Sequence, residues 1–246
     1  RKAGELGASY TGQGWRIYGK AGSTYRFANT DELFGYDNTL FVPVFAGDLR
    51  PQHGGIAELG GSIRFDSVDA RAAAYRMDLK DEIGYDGSVG ANINFDPTRR
   101  QGIESELGWR IGGGFKAQVA YTYTDAHFRD GPYTGKDVPL VSRNMATLQF
   151  GWDGSAAGTY DVLARYVGDR RYSGDYANER GMLSGYTLVD LQASWKFKPW
   201  TITARVLNAF DKRYAPFAGY STWIADHYYY PGEGRSYRLA ARYDFL

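Results

Sequence analysis

Hydrophobic and polar residues alternate along most of this chain. Ile103, Ser105, Leu107, Trp109 and Ile111 fall on one side of an extended segment, with Glu104, Glu106 and Arg110 on the other. Phe115, Ala117, Val119, Tyr121 and Tyr123 oppose Lys116, Gln118, Thr122 and Thr124, and Ala146, Leu148, Phe150 and Trp152 oppose Thr147 and Gln149. Val189, Leu191, Ala193, Trp195 and Phe197 oppose Asp190, Gln192, Ser194 and Lys196; at the end, Tyr237, Leu239, Ala241, Tyr243 and Phe245 oppose Arg238, Arg242 and Asp244. A period of two belongs to β-strands, whose successive side chains point to opposite faces. The pattern predicts about eleven strands, near 3–10, 15–26, 55–65, 68–79, 102–111, 115–125, 144–152, 159–168, 186–197, 200–208 and 235–245, and no helix of ordinary length.

Short turns alternate with long loops between these strands. The turns are Thr11 to Gly14, Asp66-Ser67, Gly112 to Gly114, Asp153 to Gly158 and Lys198-Pro199; the loops run near 27–54, 80–101, 126–143, 169–185 and 209–234. All long loops therefore lie at one end of the strands, as in outer-membrane barrels. Trp15, Trp109, Trp152, Trp195 and Trp200 sit beside the short turns on the apolar face, and Tyr25, Tyr123, Tyr166 and Tyr237 share that face at the other end. Amphipathic rings at two levels match the aromatic belts of a membrane protein. The opposite face carries Glu58, Arg64, Glu104, Glu106, Lys116, Arg165, Asp190, Lys196, Arg205, Arg238 and Arg242, which suits a wet lumen or a polar plug. One residue disturbs the division: the pattern over 68–79 puts Arg71 on the lipid-facing side, near a short turn where its head can snorkel.

Composition narrows the class. Aromatics reach 16% and Gly numbers 32, yet mean hydropathy is −0.48. The longest apolar run, around Phe41 to Ala46, falls far short of the roughly 20 residues a membrane helix needs. A net charge of +1 argues against a nucleic-acid partner, and the lack of cysteine excludes thiolate metal sites and thiol catalysis. Arg1 to Glu5 do not open a signal peptide, so the sequence reads as part of a longer or processed precursor. The expected fold is all-β: an antiparallel transmembrane β-barrel with about eleven strands seen, half of a barrel of about 22 strands, the number found in plugged outer-membrane transporters. Eleven strands alone would leave two open edges in lipid.

Several segments resemble the TonB-dependent outer-membrane receptors. Ser23 to Phe34 is similar to the mid-barrel stretch in which an Arg precedes Glu-Leu-Phe, with Asn29 where Pro is usual. Gly47-Asp48-Leu49-Arg50-Pro51-Gln52, Tyr75 to Ile83 and Arg100 to Glu104 resemble the segments that follow. Val206-Leu207-Asn208-Ala209-Phe210-Asp211-Lys212-Arg213-Tyr214 resembles the family's Asn-Leu-Phe-Asp-Lys-x-Tyr motif, and Gly234 to Phe245 its closing strand, here followed by Leu246. The resemblance covers essentially residues 1–246, as the C-terminal part of the barrel, with a plug domain and the first barrel strands N-terminal to it. It implies active uptake of a scarce nutrient across a Gram-negative outer membrane, most simply a ferric siderophore, with haem or cobalamin as family alternatives. It also implies coupling to TonB–ExbB–ExbD through the plug, contact with outer-membrane lipid, and recognition of the last strand by the barrel-assembly machinery.

The same resemblance places ligand contacts in the long loops. Arg129, Tyr172, Tyr176, Tyr220, Trp223, His227 and Tyr228 are the candidates, because aromatic rings and guanidinium groups suit planar, anionic metal chelates. His53, in the 27–54 loop just after Arg50-Pro51-Gln52, is the candidate for a haem reading. No protein-held metal and no cofactor are expected. An autonomous porin or a rim hydrolase remains a rival; Asp226-His227 is the acid–base pair that invites the latter, without a Gly-x-Ser-x-Gly elbow beside it. A soluble β-sandwich is the remaining alternative.

Overall fold

The structure is a computed structural model that describes residues 2–37, 42–86, 91–154, 158–221 and 225–245. In chain order its strands are β1 (Gly4–Gly12), β2 (Trp15–Arg26), β3 (Phe34–Asp37), β4 (Val42–Phe45), β5 (Gln52–Phe65), β6 (Val68–Lys80), β7 (Ile83–Asp86), β8 (Ala91–Asn94), β9 (Thr98–Gly112), β10 (Phe115–Phe128), β11 (Asn144–Asp153), β12 (Thr159–Val167), β13 (Tyr186–Phe197), β14 (Trp200–Leu207), β15 (Phe217–Ser221), β16 (Asp226–Tyr230) and β17 (Ser236–Tyr243). Eleven of them form one antiparallel sheet in the order β1-β2-β5-β6-β9-β10-β11-β12-β13-β14-β17. Every step along the sheet joins strands adjacent in sequence apart from the small hairpins, as an up-and-down barrel wall requires. These are the eleven strands that the alternation predicts. Within the described residues β1 and β17 are the edges of the sheet.

Three strands extend further at the long-loop end than the pattern indicates: β5 begins at Gln52, β9 at Thr98, and β10 runs to Phe128. There the outward row becomes polar, with Arg99, Gln101, Asp125 and His127, so the hydrophobic alternation fades. The ladder hydrogen bonds continue regardless, because they depend on backbone and not on side chains. The hairpins β3–β4, β7–β8 and β15–β16 are additional. Each is only four or five residues per strand, too short for a period to register.

Register assigns the faces, since directly opposed residues point the same way. Trp15 pairs with Ile63, Val68 with Trp109, Phe115 with Trp152, Trp195 with Ile202, and Trp200 with Tyr243. The five strand tryptophans thus lie on one face at the short-turn end. Their neighbours form a belt: Trp152 stacks on Phe115 and Tyr160 with ring centres 5.9 and 5.6 Å apart, and Tyr160 meets the edge of Trp195 at 6.2 Å. Tyr25, Tyr123, Tyr166 and Tyr237 occupy the same face at the other end. Between the belts the outward side chains stand free of the chain; Leu59 is 69% and Leu239 78% exposed.

The polar residues meet on the other face in cross-strand pairs. Lys20 reaches Glu58 at 3.3 Å, and Tyr18 donates to Glu58 at 2.6 Å. Arg165 reaches Asp190 at 2.7 Å, and Arg205 donates to Gln192 at 2.6 Å. Arg71 belongs here, which corrects the sequence reading. It opposes Ser62 and Glu106 and donates to the Glu106 carboxylate, to which Gln118 also donates. The pattern misleads because β6 carries its large apolar residues, Tyr75, Met77 and Leu79, inward, while Ala70, Ala72 and Ala74 face outward.

The tight turns use glycine where a side chain has no room. Gly112, Gly113 and Gly114 all take positive φ between β9 and β10, and a Cβ on Gly114 would fall 2.2 Å from the carbonyl oxygen of Asp153. Replacing outward Leu148 with Arg should destabilise the sheet in a bilayer by about 2–4 kcal/mol. The same change at inward Thr147 should cost far less. Urea unfolding of the full-length protein in phospholipid vesicles, followed by the unboiled gel shift, measures the difference.

Candidate functional site

The long loops pack together over one end of the sheet, and two polar residues fix their bases. Asn208 ends β14 with φ at 48°, a conformation that asparagine tolerates better than most residues. Its side chain accepts from the Lys212 backbone N–H at 2.9 Å and donates to the carbonyl oxygens of Lys212 and Glu233 at 2.9 and 3.1 Å. Asp211, three residues on, accepts from the Arg235 N–H at 2.9 Å. This pair joins both ends of the loop that carries β15 and β16, a physical reason for Asn and Asp in the Asn208 to Tyr214 segment.

Arg170 is the second anchor. It is 4% exposed and sends Nη2 to the carbonyl oxygens of Ala215 and Pro216 at 2.9 and 2.8 Å, with its guanidinium against the Tyr186 ring. Burial pulls its pKa below the usual guanidinium value. Arg170 thereby ties the 168–185 loop to the 208–235 loop. Ser173 strengthens the joint by lying parallel to Gly219: its N–H donates to Ala218, and its carbonyl accepts from Tyr220. The 168–185 loop adds a short third strand to the β15–β16 hairpin.

An aromatic cluster grows on this frame. The Tyr172 and Tyr229 hydroxyls are 3.3 Å apart, and the His227 ring lies 4.2 Å from Tyr172 and 5.4 Å from Tyr220. The Arg180 guanidinium sits 3.8 Å above the Tyr220 ring. The hydrogen bond to Tyr229, then burial, raises the Tyr172 pKa to about 12. Burial, then neighbouring Tyr85, raises that of Tyr228. These phenols stay neutral and able to donate hydrogen bonds at ordinary pH.

Beneath the cluster a packed layer supports the loops. Phe128, Ala126, Val138 and Tyr176 are buried together, against Phe95, Tyr133 and Val141. The Asp137 carboxylate accepts from Arg143 at 2.7 Å and Arg171 at 3.2 Å, and its backbone is held twice by the Asn178 side chain. A cavity of about 710 Å³ opens on the inward face below, lined among others by Tyr75, Arg100, Glu104, Thr124, Arg170 and Tyr186.

The predicted site residues separate into groups. Tyr172, Tyr220 and His227 come together in the cluster, whereas half-buried Tyr228 packs against Phe217 and Tyr230 on the β15–β16 hairpin. Tyr176 is drawn into the supporting layer, where burial and the nearby Asp86 push its phenol far above the usual range. Arg129 is turned elsewhere: its guanidinium is 3.1 Å from Asp78, on the outward face. Trp223 lies outside the described residues. His53 opposes Tyr25 and Lys80 on the outward face and points Nδ1 toward Pro51 and Asp81. His227 is 3.8 Å from Asp226, with its ring between Tyr172 and Tyr220. Tyr229, one of the aromatic residues of the 209–234 loop, and Arg180 complete the cluster; the sequence does not single out Arg180, because a lone arginine after Asn-Glu in a loop carries no periodic or spacing signal.

Comparisons with known proteins follow the same lines. A family model described as TonB dependent receptor-like, beta-barrel, matches residues 4–209. Among solved structures, the chain is similar to the ferric yersiniabactin uptake receptor FyuA from Yersinia pestis, with a TM-score of 0.78 at 23% identity over 98% of this chain and 37% of that one. It is similar to the siderophore receptor PiuA from Acinetobacter baumannii at 0.74 and 21%, over 97% and 35% of the two chains. It is also similar to the ferric citrate transporter FecA in its unliganded form at 0.72 and 17%, over 97% and 37%. The chain spans about a third of the length of these structures.

Two outcomes test the loop frame in the full-length protein. Arg170→Met leaves two carbonyl oxygens without their donor, a loss on the order of 1–3 kcal/mol; hydrogen exchange of amides 217–221 should accelerate while that of β12 and β13 does not. Tyr172 favours its neutral form when folded, so its contribution is complete below pH about 10 and is lost as pH rises toward about 12. Ultraviolet titration of tyrosinate should show a late-titrating set of groups, one of which moves earlier in Tyr229→Phe while the others stay in place.

Proposed function

We propose that this chain, which belongs to the TonB-dependent receptor β-barrel family, is the C-terminal barrel portion of a transporter that takes up a metal chelate, most simply a ferric siderophore. The family locates it in the outer membrane of Gram-negative bacteria, with the belted apolar face in lipid. The remaining barrel strands, which the family resemblance places before residue 1, pair with the β1 and β17 edges and close the wall. Closure satisfies the edge N–H and C=O groups, which lipid cannot.

The aromatic and cationic cluster formed by Tyr172, Tyr220, Tyr229, His227 and Arg180 carries this reading. Ferric siderophores offer aromatic or polar chelating groups, often with net negative charge. Neutral tyrosines hydrogen-bond their oxygens, and an arginine resting on a ring keeps part of its fork open for an anion. The relatives FyuA and PiuA, described as a ferric yersiniabactin uptake receptor and a siderophore receptor, support the same class. Energy for transport comes from TonB–ExbB–ExbD through a plug domain. The inward face suits such a plug: it is polar, and several of its charges meet in cross-strand pairs, which lowers the cost of sliding a polar surface past them. Ligand contacts are assigned to Tyr172, Tyr220, His227, Tyr228 and Arg180, with Trp223 beside them in sequence.

Titration of the full-length protein with ferric catecholate, ferric hydroxamate and ferric citrate chelates tests the proposal. One class should bind far more tightly than the others, and Arg180→Ala should weaken it about tenfold, or about 1.4 kcal/mol. Uptake of radiolabelled iron should stop when TonB is absent while binding persists. Binding of no iron chelate, or full binding in both Arg180→Ala and Tyr220→Ala, would overturn it.

A further inference from the structure

The outward face changes character abruptly on β6, β9 and β10. From the short-turn end, its rows are Val68–Trp109–Ala117, Ala70–Leu107–Val119, Ala72–Ser105–Tyr121 and Ala74–Ile103–Tyr123. The next two rows are Arg76–Gln101–Asp125 and Asp78–Arg99–His127. Trp109 and Gln101 are eight residues apart. That is roughly 27 Å along a strand and about 20 Å of height at the usual barrel tilt, close to the full apolar band. The charged rows therefore lie at the level of the outer-leaflet headgroups.

These charges are arranged as a cationic cluster. The Asp78 carboxylate is surrounded by Arg76 at 3.1 Å, Arg99 at 2.7 Å and Arg129 at 3.1 Å. Lys80 is exposed on the same row of β6. Arg76 and Arg99 engage Asp78 through Nε, so their terminal nitrogens have no protein acceptor among the described residues. One carboxylate orients three guanidinium groups without neutralising them. Oriented, half-exposed arginines with free forks are built for bidentate phosphate. Directly below, Ala74, Ala72 and Ala70 on β6, with Gly61 beside them on β5, form a shallow furrow flanked by Leu59 and Ile63 on β5 and by Ile103 and Leu107 on β9. An acyl chain can lie there without displacing a large side chain.

We propose that this patch binds a phosphorylated glycolipid of the outer leaflet, with its phosphate on Arg76, Arg99 and Arg129 and an acyl chain in the alanine furrow. The occupant is a lipid, because the cluster and the furrow are continuous and both face outward. Arg129, a candidate ligand contact by sequence, serves lipid here and not the transported chelate.

Native mass spectrometry of the delipidated full-length protein in detergent tests this, with bisphosphorylated lipid A as probe beside lipid A stripped of phosphate. Wild type should retain the phosphorylated form at least tenfold more tightly. The Arg76→Gln/Arg99→Gln double variant should lose that preference, Arg99→Lys should keep most of it, and inward Arg165→Gln should leave it unchanged. An unboiled gel shift confirms that each variant is folded; if the double variant does not fold, the wild-type comparison of the two lipids still decides. Equal binding of both lipids, undiminished binding in the folded double variant, or complete displacement by equimolar inorganic phosphate would overturn the proposal, the last by making this a free-anion site.

Discussion

Backbone hydrogen bonding along an unbroken antiparallel ladder is the interaction on which the rest of this molecule depends. In hydrocarbon no water takes up an unpaired N–H or C=O, so each strand must find both partners in its neighbours. That requirement fixes strand order, keeps the connections between neighbours simple, and makes register strict. Strict register in turn sorts the side chains. A slip of one residue would move Trp109, Leu107 and Ile103 into the lumen and Glu104 and Glu106 into lipid. The fold is held less by a central core than by this coupling between ladder and faces. Among the described residues the buried apolar clusters lie at the long-loop end, where the last residues of β10, Ala126 and Phe128, meet the loops.

The loops inherit their geometry from the wall. Asn208 and Asp211 join the two ends of one loop; Arg170 and Ser173 join that loop to its neighbour; Asp137 and Asn178 add the third. Ser173 does this through its backbone; Asn208, Asp211, Arg170 and Asn178 are polar side chains that supply a backbone group with the partner a regular ladder would have given. The result is a preorganised platform for Tyr172, Tyr220, His227 and Arg180, which in the proposed role would keep the ordering entropy of binding small. At the outer rim a similar device works in the opposite sense. Asp78 holds three arginines in place but leaves most of their donors turned outward.

Legibility in the sequence follows from how local the cause is. A strand with one face in lipid and one in water must alternate, so all eleven wall strands can be read from single segments. The aromatic belts can be read for the same reason. Arg71 could not be placed, because alanines on the outward row and Tyr75, Met77 and Leu79 on the inward row reverse the apparent contrast. The small hairpins escape notice because four residues do not establish a period. Among the loop candidates, Tyr172, Tyr220 and His227 do converge, whereas Tyr176 is taken into packing and Arg129 and His53 turn outward. No local feature separates these cases; each depends on which neighbouring loop or strand lies alongside.

The sequence by itself thus determined an all-β barrel wall, its two faces, its two aromatic levels and the end at which the long loops gather. All of these follow from the period of a strand and from the contrast between lipid and water. Only the tertiary structure decided which loop residues meet. Arg180 over Tyr220, Ser173 against Gly219, and Arg129 beside Asp78 join positions 40, 46 and 51 residues apart. Such contacts arise from the register of strands and the closure of loops, which no single segment encodes.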